Sequence, residues 1–176
     1  ILEDDAPILK DIAHLLENLA PYAVCEDTKY GRRFKDSDDA PDNLWIRHPG
    51  MLMPVFPSAE IDIESTEEER ALVDNTIKFL EDNCEIGIFQ GSWLSAASSR
   101  IGKGQRALRL LYERGIDHML RSNGLTAEAT ERFMNFCLKL REPLYYPCMM
   151  EFTGEMLAAV NEMLLQSQKG VIRVFP

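Results

Sequence analysis

Apolar residues recur at helical spacing through most of this chain, in stretches that begin at capping residues and end at proline or glycine. Such a period commits a segment to helix and to burying one side of it. Over 6–20, Ile8, Leu9, Ile12, Leu15, Leu16 and Leu19 form one stripe. Asp4 or Asp5 supplies the cap, Pro7 suits the first turn and Pro21 ends the segment. Over 66–84, Val73, Ile77, Leu80 and Cys84 make the stripe, behind two overlapping capping boxes, Ser65/Glu68 and Thr66/Glu69. A short helix is predicted from Gly91 to Ser99, after a brief strand at Ile86 and Ile88.

The second half continues the pattern. The spacing predicts a helix over 104–122, with Leu108, Leu111, Tyr112, Ile116 and Met119 inward and Asn123-Gly124 as a left-handed stop. Thr126 caps a helix to about Arg141, which Pro143 terminates. A last helix spans roughly 153–168 (Met156, Leu157, Val160, Met163, Leu164), and Val171–Phe175 reads as a strand. Between Tyr22 and Glu64 the helical period disappears for about forty residues, long for a connection in a compact domain. Short strands at 44–47 or 52–56 would be confined to sheet edges by the prolines. The expected fold is mostly α: one domain, 1–176, a bundle of five or six amphipathic helices, with 22–64 irregular and at most a small accessory β element.

Composition narrows the function classes. The chain has 176 residues, 45% apolar and 27% charged, with a net charge of −10. No apolar run approaches the ~18 residues of a membrane span, and no basic stretch followed by an apolar run marks a signal peptide. Cys25, Cys84, Cys137 and Cys148 form no C-x-x-C pair and three adjoin apolar residues, the pattern of free buried thiols in a reducing cytoplasm. His14, His48 and His118 have no zinc-ligand spacing, and no cofactor is expected.

Charge is unevenly divided: residues 1–88 carry net −13 and 89–176 net +3. On the 104–122 helix, Lys103, Arg106, Arg114 and Arg121 fall opposite Leu108, Tyr112 and Met119. That basic side either pairs with the acidic half of the same chain or receives an acidic partner. The acidic run Asp36, Asp38, Asp39, Asp42 fails as a calcium loop, because Pro41 and Arg47 stand where Gly and Glu are required. Gly102-Lys103 fails as a phosphate loop, since Ala97 and Gly104 occupy the first-glycine and hydroxyl positions. No G-x-S-x-G elbow or local Cys–His signature supports hydrolysis. The 121–127 joint has the outline of a helix-turn-helix, but Glu128 and Glu131 stand where a reader of DNA presents donors.

Met51, Leu52, Met53, Val55 and Phe56 place adaptable apolar side chains in a proline-punctuated segment, either an arm over the chain's own core or a docking strip. The expectation is therefore a non-catalytic, cytoplasmic interaction or regulatory protein. Its protein partner would be contacted through 35–57 (Met51, Met53, Phe56) and the basic face of 103–121 (Lys103, Arg106, Arg114, Arg121), and a homodimer through an apolar helix face is compatible. One alternative is a nucleic-acid-associated regulator using the same arginines. Another is a small-molecule sensor or enzyme with a pocket near Trp93, Tyr112 and His118.

Overall fold

The computed structural model describes residues 6–44, 48–84, 88–117 and 150–176. It is mostly helical. Helix α1 (Ala6–Glu17) leads into a hairpin of β1 (Val24–Asp27) and β2 (Gly31–Phe34), then through a single 3-10 turn (Gly50–Leu52) into α2 (Glu67–Asn83). Helix α3 (Ile88–Arg100), helix α4 (Gly104–Leu110) with its π-helical continuation (Leu111–Ile116), and α5 (Met150–Leu164) follow. A second hairpin, β3 (Leu165–Gln168) and β4 (Val171–Val174), closes the described chain. The predicted helix over 126–141 lies outside the described residues.

Local signals place α2. Thr66 Oγ1 accepts from the Glu69 N–H while the Glu69 carboxylate accepts from the Thr66 N–H, the complete capping box. Val73, Ile77 and Leu80 are fully buried, and the helix lies on β2. Thr76 Oγ1 accepts from the Phe34 N–H at 2.9 Å, joining helix to strand.

The first half corrects one expectation. Residues 24–34 are an antiparallel hairpin in register Val24↔Phe34 and Asp27↔Gly31, not irregular chain. Its turn is nucleated by Asp27, whose Oδ1 accepts from the N–H groups of Lys29 and Tyr30, and is closed by Gly31 at φ 84°. Residues 52–56 are not a strand; they leave the 3-10 turn as successive tight turns. The 45–47 part of the other predicted strand is outside the described residues.

Helix α3 is the centre of the packing, in contact with α4, its π continuation and α5. It is longer than predicted, and Ile88 belongs to it rather than to a strand. Leu94, Ala96, Ala97 and the serines 92, 95, 98 and 99 are all buried. Small side chains let neighbours approach: a Cβ on Gly91 would stand 2.7 Å from Arg114 Cβ. Ser98 and Ser99 donate to carbonyls of their own helix, and Ser95 Oγ donates 2.8 Å to the Ala107 carbonyl of α4.

The predicted inner face of the 104–122 helix is kept only in part. Leu108 and Tyr112 are exposed, while Ala107, Leu110, Leu111 and Gly115 are buried. Leu111 is buried and Ile116 half-buried as the spacing predicts, so the inner face is displaced toward Ala107 and Leu110 rather than replaced, and Met119 lies outside the described residues. Ala107 lies against α3, where its carbonyl accepts from Ser95, and the arginines reach α2, which leaves Leu108 and Tyr112 on the exposed side. At the C-terminal end, α5 stops at Leu164 where a helix to 168 is predicted. Residues 165–168 pair with 171–174 instead, through a two-residue turn in which Lys169 (φ 52°) and Gly170 (φ 75°) are both left-handed, as a type I′ hairpin requires.

Candidate docking surfaces

Two buried arginines organise the body, and each is fully engaged. Arg100, at the end of α3, donates from Nε and Nη2 to the two carboxylate oxygens of Glu162 on α5, each at 2.8 Å. Its Nη1 donates to the carbonyls of Val55 (2.7 Å) and Pro57 (3.0 Å), and the guanidinium lies 4.9 Å from the centre of the Phe56 ring. Arg33 is 1% exposed, pairs with Asp27 at 3.0 Å and stacks 3.6 Å over Phe79. Burial works to raise the Asp27 carboxyl, but the Lys29 and Tyr30 N–H groups and Arg33 outweigh it and hold the acid below its ordinary range.

The segment expected to dock a partner is divided between core and surface. Met51 is in the hydrophobic core with Leu52 and Val55; Phe56 is half-buried; Met53 is exposed. Met51 is thus placed as a core residue, and the 51–56 stretch is largely the arm over the chain's own core. Its contact with α3 is specific: Trp93 Nε1 donates 2.9 Å to the Phe56 carbonyl. His48, Phe56, Phe89, Trp93 and Phe152 form a run of ring contacts with centroids 5.3–6.4 Å apart.

The basic residues are committed within the chain to different degrees. Arg106 pairs with Asp74 at 2.6 Å, Arg109 with Glu81 and Glu113, and Arg114 donates to the Glu81 carbonyl. Desolvation would raise Asp74, yet Lys78 and Arg106 bring it below the ordinary range. This is the intrachain side of the expected dichotomy: the acidic half receives these side chains. Lys103 is exposed, and Arg121 and His118 lie outside the described residues. Tyr112 is exposed, apart from the Trp93 ring cluster. A cleft of about 330 Å³ lies between the start of α2 and the 101–103 turn, with Glu67, Arg70, Asp74 and Lys103 on its walls. No group of three or more metal-ligating side chains occurs among the described residues, and no helix there is long and apolar enough to cross a membrane.

Two apolar surfaces are exposed that the sequence pattern alone does not single out. The α1 stripe, Ile8 through Leu19, is 43–69% exposed. The β3–β4 hairpin turns its apolar side outward: Leu165, Ile172 and Val174 are 52–70% exposed, and the cross-strand register puts them on one face with Ser167. Leu157, Leu164 and Phe175 are exposed nearby in sequence. The hairpin's inner face carries Gln166 and Arg173. Tyr22, which follows α1, donates to the Glu60 carboxylate, and burial with that neighbour pushes its phenol up to about 12. Glu60 also accepts Lys169 of the hairpin turn on its carbonyl at 2.9 Å.

Comparison with known proteins finds no matching family model and no matching curated sequence.

Proposed function

We propose that this chain is a single-domain helical-bundle protein of the cytoplasm that acts without catalysis, by docking a protein partner that presents an uncharged apolar surface. The observation that carries this reading is the outward apolar face of the β3–β4 hairpin. Leu165, Ser167, Ile172 and Val174 include no charge, in a chain that is 27% charged and has net charge −10. Contiguous exposed apolar surface on a folded chain marks a contact site more often than accident does. The exposed stripe of α1 has the i, i+3, i+4 spacing used when a helix lies in an apolar groove. These two surfaces are preferred to 35–57 and the 103–121 basic face, where Met51 is core and Arg106 and Arg114 have acidic or carbonyl partners in the same chain while Met53 and Lys103 stay exposed. No observation among the described residues favours the nucleic-acid or small-molecule alternatives.

The test is a photo-crosslinking amino acid placed at Ile172 and, separately, at Leu15, with Lys10 as a polar control on α1. The reading expects one discrete adduct from Ile172 that disappears when Val174→Glu is added. An adduct of twice the chain mass would make the partner a second copy. No adduct, or the same adducts from Lys10, overturns the reading.

A further inference from the structure

The hairpin that carries the proposed docking face is joined to the body in an unusual way. Its apolar side faces out, so little hydrophobic burial holds it down. Apart from Val171, what faces inward is polar. Arg173 Nη2 makes ionic contacts with Glu64 (2.9 Å) and Asp62 (3.7 Å), and Lys169 Nζ lies 3.4 Å from Asp62. The Asp62 side chain is 1% exposed and fixed by its own turn, where Oδ1 accepts from the Glu64 N–H at 2.9 Å and the Asp62 N–H donates to Ser65 Oγ at 3.0 Å. This short turn leads directly into the capping box of α2, so the receptor side is rigid.

The fit is incomplete. Asp62 Oδ2, Gln166 Oε1, Gln168 Nε2 and both Nη atoms of Arg173 are buried without a hydrogen-bond partner of adequate geometry. Buried polar groups in that condition offset part of what the ion pairs contribute to docking. The hairpin's ladder, meanwhile, pairs only with itself among the described residues. Its I′ turn sets the register, and it is continuous with α5 at the Leu164–Leu165 junction, where the Phe175 N–H donates to the Leu164 carbonyl at 3.0 Å.

We propose that β3–β4 is a latched arm: Asp62 and Glu64 hold Arg173, Asp62 and the Glu60 carbonyl hold Lys169, and loss of that hold lets the hairpin leave the body with its apolar face attached to it. The proposal rests on the docking reading for its purpose, and not for its mechanics. It makes the hairpin a low-stability opening unit within a stable body.

Hydrogen exchange of the free chain, followed peptide by peptide, tests the latch without any partner. An isolated two-stranded hairpin is marginal in water, so undocking exposes its ladder amides. Asp62→Asn is expected to speed exchange of residues 165–174 by roughly tenfold or more while the amides of 70–83 in α2 keep their rates. Glu64→Gln with Lys169→Met, both at exposed side chains, is expected to give a smaller acceleration in the same peptide, and decides the matter if Asp62→Asn does not fold. Unchanged hairpin exchange in the variants, or hairpin and α2 accelerating together, overturns the latch. A failed crosslink at Ile172 with a positive exchange result would remove the docking reading and leave the latch.

Discussion

Replacing Arg100 by methionine tests the packing scheme at its most connected point. The side chain is 8% exposed and ties α3 to Glu162 of α5 and to the 55–57 turn through four hydrogen bonds of 2.7–3.0 Å. Methionine fills much of the volume and supplies none of the donors. Glu162, whose side chain is 16% exposed, is then a carboxylate held away from water with no counter-charge, and the Val55 and Pro57 carbonyls each lose the Arg100 donor. Removing one member of a buried pair typically destabilises by about 3–5 kcal/mol. For a chain of this length that corresponds to a fall in Tm of roughly 6–20 °C. Urea unfolding followed by circular dichroism should show a lower midpoint at unchanged slope. Arg100→Met combined with Glu162→Leu removes both charges and should recover most of the loss, since an apolar pair of similar volume can be as stable as a buried ion pair. If Arg100→Met loses less than about 1 kcal/mol, or if the double variant equals the sum of the singles, the pair does not hold α3 to α5 as described.

Met51 and Met53, two residues apart, should respond differently. Met51→Ala should lose about 2–5 kcal/mol as a core truncation, and Met53→Ala should stay within roughly 0.5 kcal/mol, both by urea unfolding. Gly91→Ala should destabilise by about 1–3 kcal/mol, because the added methyl meets Arg114 Cβ at 2.7 Å and its backbone carbonyl carbon at 3.1 Å; a neutral result would mean that α3 and the π segment are not so close. Burial raises the Glu155 carboxyl above its ordinary 4.5. The unfolded chain releases that proton more readily, so the group costs stability as pH rises through its folded value and costs nothing below about 4. Glu155→Gln should therefore raise Tm at pH 7 and leave it unchanged in acid; an equal gain at both would assign the effect to something other than the charge.

Which segments are helical was legible wherever the signal was local. The Thr66/Glu69 box acts on four consecutive residues, and α1 followed from its periodic stripe and turn residues to within a few positions, whereas the end of α5 at Leu164 was missed. The β3 misreading has a local cause that was available: Lys169-Gly170 flanked by paired short segments is an I′ signal, which the apolar period of α5 overran. The β1–β2 hairpin has a weaker one, since Val24-Cys25-Glu26-Asp27 and Gly31-Arg32-Arg33-Phe34 do not alternate polar with apolar. Asp27 followed by Gly31 is its only sequence mark. The acidic-to-basic asymmetry between the halves was plain, and its destination in Arg106–Asp74 and Arg109–Glu81 was one of the two outcomes it allowed.

Sequence alone determined the helical class, the α2 start, and the acidic and basic segments that would have to find each other, because caps, periods and charge are properties of neighbouring residues. Tertiary structure alone decided which way each face points. On α4 and its continuation Leu108 and Tyr112 face out while Ala107 and Leu110 face in, because Ala107 meets α3 and arginines reach α2, a preference that no single-helix pattern contains. Met51 went inward and Met53 outward for the same reason: a turn, not a period, sets their directions. The apolar sides of α1 and of β3–β4 remain outward because the body gives the hairpin a polar seat at Asp62 and gives α1 no extensive contact with another described element. Hydrophobicity determines that a face favours burial; only the arrangement of the other elements determines whether the chain itself supplies a place for it.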